Sequence, residues 1–296
     1  MNITVIDVGG TFIKHALMNE QSEILQRGKV PTPQTNRADF LNAIVDIYQS
    51  YSNAQGLALS MPGIIDTKNG VCITSGALDY NNGLHIIDEL QSNIPVKITV
   101  ENDAKCAALA EASVGALADV NDGFVLIFGT GVGGAFIKDH KVWRGTHFSA
   151  GEVSITITDP DTDSGNEENF FGYKCGVPQL CRYFAQEKNL PVDEVDGVMI
   201  FNAVEQNDPI AVDCLDRFTR RVAVMIFNLQ MLFDPQRFAI GGGISAQPSF
   251  IRSIKKNLNT LYDDCWVQLP NRAEIVACKF QNDANLIGAL QNFLGR

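Results

Sequence analysis

The sequence predicts an α/β protein made of two related halves, and three observations support this fold class. The chain has 296 residues, about twice the length of a common single domain. The heptapeptide Val8-Gly-Gly-Thr-Phe-Ile-Lys14 returns as Val132-Gly-Gly-Ala-Phe-Ile-Lys138, with six of seven residues identical. Apolar runs typical of buried strands alternate along the chain with segments of helical periodicity. We therefore expect a duplicated unit of strands and helices.

In the first half, the apolar run from Ile3 to Val8 predicts a buried strand, and the glycine pair after it predicts a hairpin turn. The return strand begins at Phe12. Further strands are predicted at 23–30, 57–61 and 96–100, and helices at 37–51, 84–90 and 101–117. Asn102 or Asp103 is expected to cap the last of these helices.

In the second half, the hairpin recurs from Gly123 onward, around the glycines of residues 129–134. Strands are predicted at 141–143, 238–240 and 274–278, and helices at 177–187, 197–206, 209–232, 249–261 and 284–293. The closing helix lies beyond the last strand of this half, so we expect it to return to the first domain. The predicted domains are residues 1–117 with 284–296, and residues 118–283.

Composition excludes several classes of function. The net charge of -11, without any cluster of Lys and Arg, argues against a nucleic-acid surface. The sequence has neither a signal peptide nor an apolar run of the roughly 20 residues that a membrane span needs. Seven scattered cysteines predict reduced thiols, and so a cytoplasmic protein.

Three glycine turns follow predicted strands, at residues 9–11, 129–134 and 241–243. Their backbone amides offer an acidic protein a way to hold a polyphosphate. None of them has the P-loop pattern, and residues 129–134 lie in a predicted hairpin and not at the strand-to-helix turn of a dinucleotide-binding site. Asp7 beside the first turn is either a turn-capping acid or a carboxylate that holds Mg2+ through water. Asp103 is either a helix cap or a proton acceptor for a substrate hydroxyl.

A polar stretch at residues 158–168 carries several acids, among them Asp159 and Asp161. A calcium loop would need a glycine and a distal glutamate at fixed offsets, which are missing here. The sequence therefore favours a solvated loop.

Six motifs, in this order and over nearly the whole chain, resemble those of the ROK family of bacterial sugar kinases and repressors. They are Ile6-Asp-Val-Gly-Gly-Thr-Phe-Ile-Lys14, Ser60-Met-Pro-Gly-Ile-Ile-Asp66, Glu101-Asn-Asp-Ala104, Phe128-Gly-Thr-Gly-Val-Gly-Gly134, Ala150-Gly-Glu152 and Ile240-Gly-Gly-Gly-Ile-Ser245. Repressors of the family carry a helix-turn-helix before the first motif. Here that motif begins next to the N-terminus, so the resemblance implies the kinase branch.

The resemblance implies an actin-like ATPase (ribonuclease H-like) fold, with two related domains and a central cleft for ATP and a sugar. Asp103 matches the catalytic base, Asn102 and Glu152 match ligands of sugar hydroxyls, and Gly63 and Gly76 match loops that edge the sugar pocket. The positions that match the ATP- and phosphate-binding residues are Asp7, Gly9, Gly10, Thr11, Lys14, Gly129, Thr130, Gly131, Gly133, Gly134, Gly241, Gly242 and Gly243. The implied cofactors are ATP and Mg2+, the latter held by Asp7 through water, and the implied assembly is a homodimer.

The chain departs from the family at its zinc site. Many members have a zinc-binding His where this chain has Ile155, and a Cys-x-Cys run near Cys175 and Cys181 that is missing here. We therefore predict no zinc. The region of residues 169–171, Asn-Phe-Phe, stands where many members have a sugar-contacting Glu. The anomeric side of the sugar is thus expected to be less polar, or open to an aglycone.

The predicted function is ATP-dependent phosphorylation of a hexose or hexose derivative at its 6-hydroxyl, of the β-glucoside or glucose type. Fructose and N-acetylmannosamine stay open as acceptors. A non-catalytic sugar-binding regulator is the alternative, and it would need neither Asp103 nor intact phosphate turns. An actin-like ATPase without a sugar is disfavoured, because the chain contains both sugar motifs, Glu101-Asn-Asp103 and Ala150-Gly-Glu152.

Overall fold

The computed structural model describes residues 1–158 and 163–296. Asp159 and Asp161 of the predicted polar loop lie outside these residues. The described chain forms two compact units. The first contains residues 1–115, 141–150 and 282–296, and the second contains residues 116–140 and 151–281. The sequence assigned residues 141–150 to the second domain, whereas in the structure this segment packs with the first unit.

The strands are β1 (Asn2–Val8), β2 (Phe12–Asn19), β3 (Ile24–Pro31), β4 (Gly56–Met61), β5 (Ile65–Asp66), β6 (Val71–Cys72), β7 (Leu84–His85), β8 (Lys97–Asn102), β9 (Gly123–Phe128), β10 (Val132–Lys138), β11 (Lys141–Val142), β12 (Arg237–Gly241) and β13 (Glu274–Ala277). The α-helices are α1 (Arg37–Gln49), α2 (Ile86–Gln91), α3 (Asp103–Val114), α4 (Phe171–Lys174), α5 (Val177–Lys188), α6 (Gly197–Glu205), α7 (Pro209–Phe233), α8 (Pro248–Asp263) and α9 (Ala284–Leu294).

The main sheet of the first unit has the strand order β3-β2-β1-β4-β8. β2 is antiparallel to both of its neighbours, whereas β1, β4 and β8 run parallel. The carboxyl ends of β1, β4 and β8 therefore meet at one edge, which is where ligands bind in open α/β sheets.

The two faces of this sheet differ in chemistry because successive side chains of a strand alternate between faces. Ile6 and Val8 belong to an apolar core with Phe40 and Ile44 of α1. Asp7, between them in sequence, points to the other face, where it contacts α9. Helices α3 and α9 approach so closely there that a Cβ on Gly288 would lie 1.7 Å from the Cys106 carbonyl oxygen.

Two predicted elements differ from the structure. The segment predicted as a helix at 84–90 begins as β7, which pairs with β6 in a small three-stranded sheet of β5, β6 and β7. The helix predicted at 101–117 begins only at Asp103, because Glu101 and Asn102 continue β8 and pair with β4. In both cases a strand partner distant in sequence captures residues that local periodicity assigned to a helix.

In the second unit, β9 pairs antiparallel with β10 and parallel with β12, and β12 pairs parallel with β13. The order β10-β9-β12-β13 repeats the order β2-β1-β4-β8 of the first unit. On one face of this sheet, Phe124, Phe238 and Ile275 share an apolar core with residues of α5 to α8. The predicted duplication is thus present in the architecture.

The repeated heptapeptide does not mark equivalent positions in the two units. Across the first turn Val8 pairs with Ile13, and across the second turn Phe128 pairs with Val132. Val8 therefore corresponds to Phe128 and not to Val132. The second heptapeptide is strand β10 itself, so its identity with the first does not align the two turns.

Candidate active site

Polar side chains line up across the parallel strands of the first unit. Asp7 lies directly opposite Ser60, and Ser60 lies directly opposite Glu101. Paired residues of neighbouring strands point to the same face, so the three side chains form one buried row. Asn102 and Asp103 follow at the carboxyl end of β8, and the first glycine turn follows β1.

Asn102 is the cap of α3, with its Oδ1 accepting from the Lys105 amide at 3.0 Å. Asp103 is the first residue of the helix and is half-buried. Its Oδ1 accepts from the Ala104 amide at 2.7 Å and from Asn102 Nδ2 at 2.9 Å. The helix N-terminus favours a negative charge at this point, as an ionised proton acceptor requires.

The two glycines predicted to edge a sugar pocket lie together beside Asn102. Gly63 has a φ of +92°, and a Cβ there would lie 2.3 Å from the Thr74 carbonyl oxygen. Its own carbonyl accepts from Asn102 Nδ2 at 2.8 Å. Gly76, with a φ of +56°, lies against Pro62. The structure thus brings Gly63, Gly76, Asn102 and Asp103 into one part of the first unit.

Glu101 is held by Arg144, a partner that sequence reasoning missed. Arg144 Nε donates to Glu101 Oε2 at 2.7 Å, and Glu101 Oε1 accepts from the Asn102 amide at 2.8 Å. Burial raises the pKa of the Glu101 carboxyl, and the charge of Arg144 opposes that shift. An acid in an apolar strand indicates a buried cation partner, but nothing in the sequence tells which arginine supplies it.

Asp7 lies beneath the first glycine turn. Its Oδ1 accepts from Ser60 Oγ at 2.9 Å and from Asn285 Nδ2 at 3.0 Å. Burial raises the pKa of Asp7, while these two hydrogen bonds and the charge of Lys14 lower it. A single carboxylate suits Mg2+, which keeps several waters and shares its remaining ligands with phosphates. The donor set therefore fits the predicted magnesium contact.

The second and third glycine turns meet at the carboxyl ends of β9 and β12. Gly242 has a φ of +90°, and a Cβ there would lie 1.9 Å from the Phe128 carbonyl oxygen, so only glycine fits. Gly243 is exposed and has open space around its Cα. Within the second turn the Gly129 amide donates to the Gly131 carbonyl at 2.9 Å.

Two of the glycines that were predicted to bind phosphate belong to a strand. Gly133 and Gly134 are inside β10 and not in the turn. A Cβ on Gly134 would lie 2.7 Å from the Gly151 carbonyl, and one on Gly151 would lie 2.9 Å from the Gly134 carbonyl. The two glycines thus allow close packing that places Glu152, which is half-buried, beside β10.

The region that stands in the position of the family's zinc site is packed through backbone and apolar contacts. Gly172 lies against Ser154, and Phe171 is buried, with its amide donating to the Thr156 carbonyl at 2.9 Å. Burial raises the pKa of the Cys175 thiol to about 12, which disfavours a metal-binding thiolate. Within residues 1–158 and 163–296, no group of three or more His, Cys, Asp or Glu could hold a metal ion.

Beside Glu152, the chain exposes two isoleucines. Ile155 is 63% exposed and Ile157 is 44% exposed, and both lie in the segment that follows Glu152. Asn169 and Phe170, from the other segment that was predicted to differ from the family, are both partly exposed.

Two α/β units with the same strand order, and glycine turns at the carboxyl ends of their strands, define an actin-like ATPase fold. The chain belongs to the ROK family, whose model matches residues 3–295. The β-glucoside kinase of Klebsiella pneumoniae is 29% identical over 293 residues, covering 99% of this chain and 96% of that protein.

Two solved structures are similar to this chain over nearly its whole length. A ROK family protein from Streptococcus pneumoniae in complex with sucrose is 30% identical with a TM-score of 0.88, over 100% of this chain and 98% of that one. A ROK family glucokinase from Streptomyces griseus in complex with glucose and AMPPNP is 26% identical with a TM-score of 0.86, over 99% of each chain. The predicted family, fold class and enzyme class of carbohydrate kinase are confirmed. Within the described residues, none of the helices has the length and apolarity to cross a bilayer.

Proposed function

We propose that this protein transfers the γ-phosphoryl group of ATP to the 6-hydroxyl of a glucose unit, with β-glucosides as preferred acceptors. The observation that carries the proposal is the position of Asp103. Its carboxylate lies at a helix N-terminus beside Asn102 and Gly63, in the same unit as the turn that follows Asp7.

The Asp103 carboxylate accepts the proton of the 6-hydroxyl as the hydroxyl oxygen bonds to the γ-phosphorus and ADP leaves. Asn102 orients the sugar through hydrogen bonds to its hydroxyls, and Glu152 is proposed to do the same. Such groups reject analogues that lack the hydroxyl, because the buried polar partner would be left unpaired.

The glycine turns hold the phosphates through backbone amides, so that the acidic chain needs no cluster of cations. Asp7 is the proposed contact for Mg2+, which when bound neutralises phosphate charge. Lys14 lies opposite Asp7 and supplies a positive charge next to the first turn.

The preference for β-glucosides is supported by Ile155 and Ile157, which present apolar surface immediately after Glu152. An apolar surface there favours a substituent on the anomeric oxygen over a bare hydroxyl. The name of one relative agrees with this preference, since that protein is a β-glucoside kinase.

The test is ATP-dependent ADP release with a panel of hexoses, N-acetylhexosamines and β-glucosides, for native protein and Asp103→Asn. Loss of a general base lowers kcat by about 10²- to 10⁴-fold, while the sugar Kd should change little. Sugar binding that is equal in both proteins, with no turnover for any acceptor in the native protein, would indicate the regulator instead. A clear preference for unsubstituted glucose would refute the β-glucoside assignment alone. The expected homodimer stays a prediction, which light scattering tests.

A further inference from the structure

The connection between β3 and α1 lies against the first glycine turn. We call residues 32–34 the strap. Thr32 is 4% exposed, and its Oγ1 donates to the Gly9 carbonyl at 2.7 Å. The Thr32 amide donates to the Thr11 carbonyl at 3.0 Å, and Gln34 Nε2 donates to the Gly10 carbonyl at 2.7 Å. Three successive carbonyls of the turn are therefore bound by the strap.

These contacts fix the direction of the turn's amides. In a trans peptide, the N–H of a residue points opposite to the C=O of the residue before it. Because Thr32 holds the Gly9 carbonyl, the Gly10 N–H points away from the strap. Because Gln34 holds the Gly10 carbonyl, the Thr11 N–H also points away from the strap. The strap thus presents two amides for an anion.

The strap is also bound on its other side. The Tyr80 hydroxyl donates to the Pro33 carbonyl. Tyr80 packs edge-on against Phe40, and its own carbonyl accepts from Arg37 Nη2 at 3.0 Å. The same Arg37 nitrogen donates to the Asn82 carbonyl at 3.1 Å, so the loop around Tyr80 is fixed to the helix that follows the strap.

From this loop, contacts continue to the sugar motif. Asn82 Oδ1 accepts from the Ser75 amide at 2.8 Å, directly before Gly76. The neighbouring Thr74 packs against Gly63, whose carbonyl holds Asn102 Nδ2. The phosphate turn and the Asn102-Asp103 pair are therefore joined by an unbroken series of contacts within the first unit.

We propose that the strap couples nucleotide binding to sugar binding, with Thr32 and Tyr80 as positioning residues that touch neither substrate. The proposal rests on the proposed kinase function. A nucleotide that orders the turn fixes the strap, and through Tyr80 the strap fixes the loop beside Gly63. Each substrate then raises the affinity for the other by the same factor, as linkage requires.

The first test replaces Thr32 with Val, which keeps the shape and removes the hydroxyl. The Gly9 carbonyl then lacks its donor, and losing such a bond raises KM for ATP by about tenfold, with a smaller change in KM for the sugar. Thr32→Ser keeps the hydroxyl and should restore KM. Thr219→Val is the matched control, since Thr219 is a buried threonine that donates to the Leu215 carbonyl at 2.8 Å in the other unit. An unchanged KM for ATP in Thr32→Val would overturn the assignment of Thr32.

The second test replaces Tyr80 with Phe and measures the sugar Kd by calorimetry, with and without a non-hydrolysable ATP analogue. We expect the analogue to tighten sugar binding in the native protein and to lose that effect, to within about twofold, in Tyr80→Phe. The control is Tyr48→Phe, because the Tyr48 hydroxyl also donates to a backbone carbonyl, that of Ala54 at 3.1 Å, away from the strap.

Different results would refute the coupling and the kinase activity. If native protein phosphorylates a sugar but shows no mutual enhancement, or keeps it in Tyr80→Phe, the coupling is refuted and the kinase stands. If native protein phosphorylates no sugar while enhancement is present and lost in Tyr80→Phe, the coupling stands and the kinase assignment falls.

Discussion

The ion pair of Arg144 with Glu101 makes a strong prediction about stability. Only 1% of the Glu101 side chain is exposed, against 30% for Arg144, so removing the arginine leaves a carboxylate in a dry site. Removing one partner of such a pair costs about 3–5 kcal/mol. For Arg144→Met we expect the lower end, about 3 kcal/mol at pH 8, because Arg144 is partly solvated. That corresponds to a fall of roughly 6–12 °C in the thermal midpoint.

The loss of stability in Arg144→Met should depend on pH, and the protonation of Glu101 sets the direction of that dependence. Burial raises the pKa of this carboxyl, and removing Arg144 removes a group that lowers it. Between the ordinary glutamate pKa and the raised value, the folded variant binds a proton that the unfolded chain does not bind. The variant therefore regains stability as pH falls through that window. The deficit against native protein should be smaller at pH 5 than at pH 8.

The assay is thermal unfolding of native protein and variants at both pH values. Adding Glu101→Gln to Arg144→Met removes the buried charge, so it should recover much of the midpoint and abolish the pH dependence of the deficit. Arg217→Met is the control: Arg217 lies 2.9 Å from Glu187 in an exposed pair, which is worth about 0–1 kcal/mol. The reasoning is refuted if Arg144→Met loses no more stability than Arg217→Met, or if its loss of stability is the same at both pH values.

Two further predictions concern the second unit. Gly242→Ala would place a Cβ 1.9 Å from the Phe128 carbonyl oxygen, so it should lower the thermal midpoint and raise KM for ATP. Gly243→Ala has open space around it and should change both quantities little. Equal effects of the two substitutions would contradict the proposed packing. Ile155→Ser should lower kcat/KM for an aryl β-glucoside by about tenfold and leave that for glucose unchanged. Val192→Ser, which alters a residue 50% exposed in another segment, serves as its control, and a proportional loss for glucose would remove Ile155 from the aglycone site.

The part of the site that the sequence predicts best is local in sequence. Asn102 and Asp103 are adjacent, and their roles at the start of α3 follow from the end of a strand and the start of a helix. Gly63 was placed near them only through the resemblance to the family, since no local pattern joins it to Asn102. The local structure around Asn102 and Asp103 could be predicted because it depends on the residue types of one short segment.

The parts that could not be predicted depend on distant partners. Arg144 lies 43 residues from Glu101, and no pattern distinguishes it from the other arginines. Strand β7 forms only because Val71 and Cys72 are available to pair with it. The repeated heptapeptide shows the limit of identity as a guide, since similar strands recur in duplicated units without marking equivalent positions.

The hydrogen bond between Asn285 and Asp7 has a consequence for the order in which the protein is completed during translation. The two residues are 278 positions apart, and at about 5–20 residues per second the ribosome needs roughly 14–56 seconds to bridge them. All residues of the second unit are made before α9, the helix that covers the polar face of the first sheet. A nascent chain therefore contains Asn102 and Asp103 early, but the turn that follows Asp7 gains its full support only when α9 has emerged and docked.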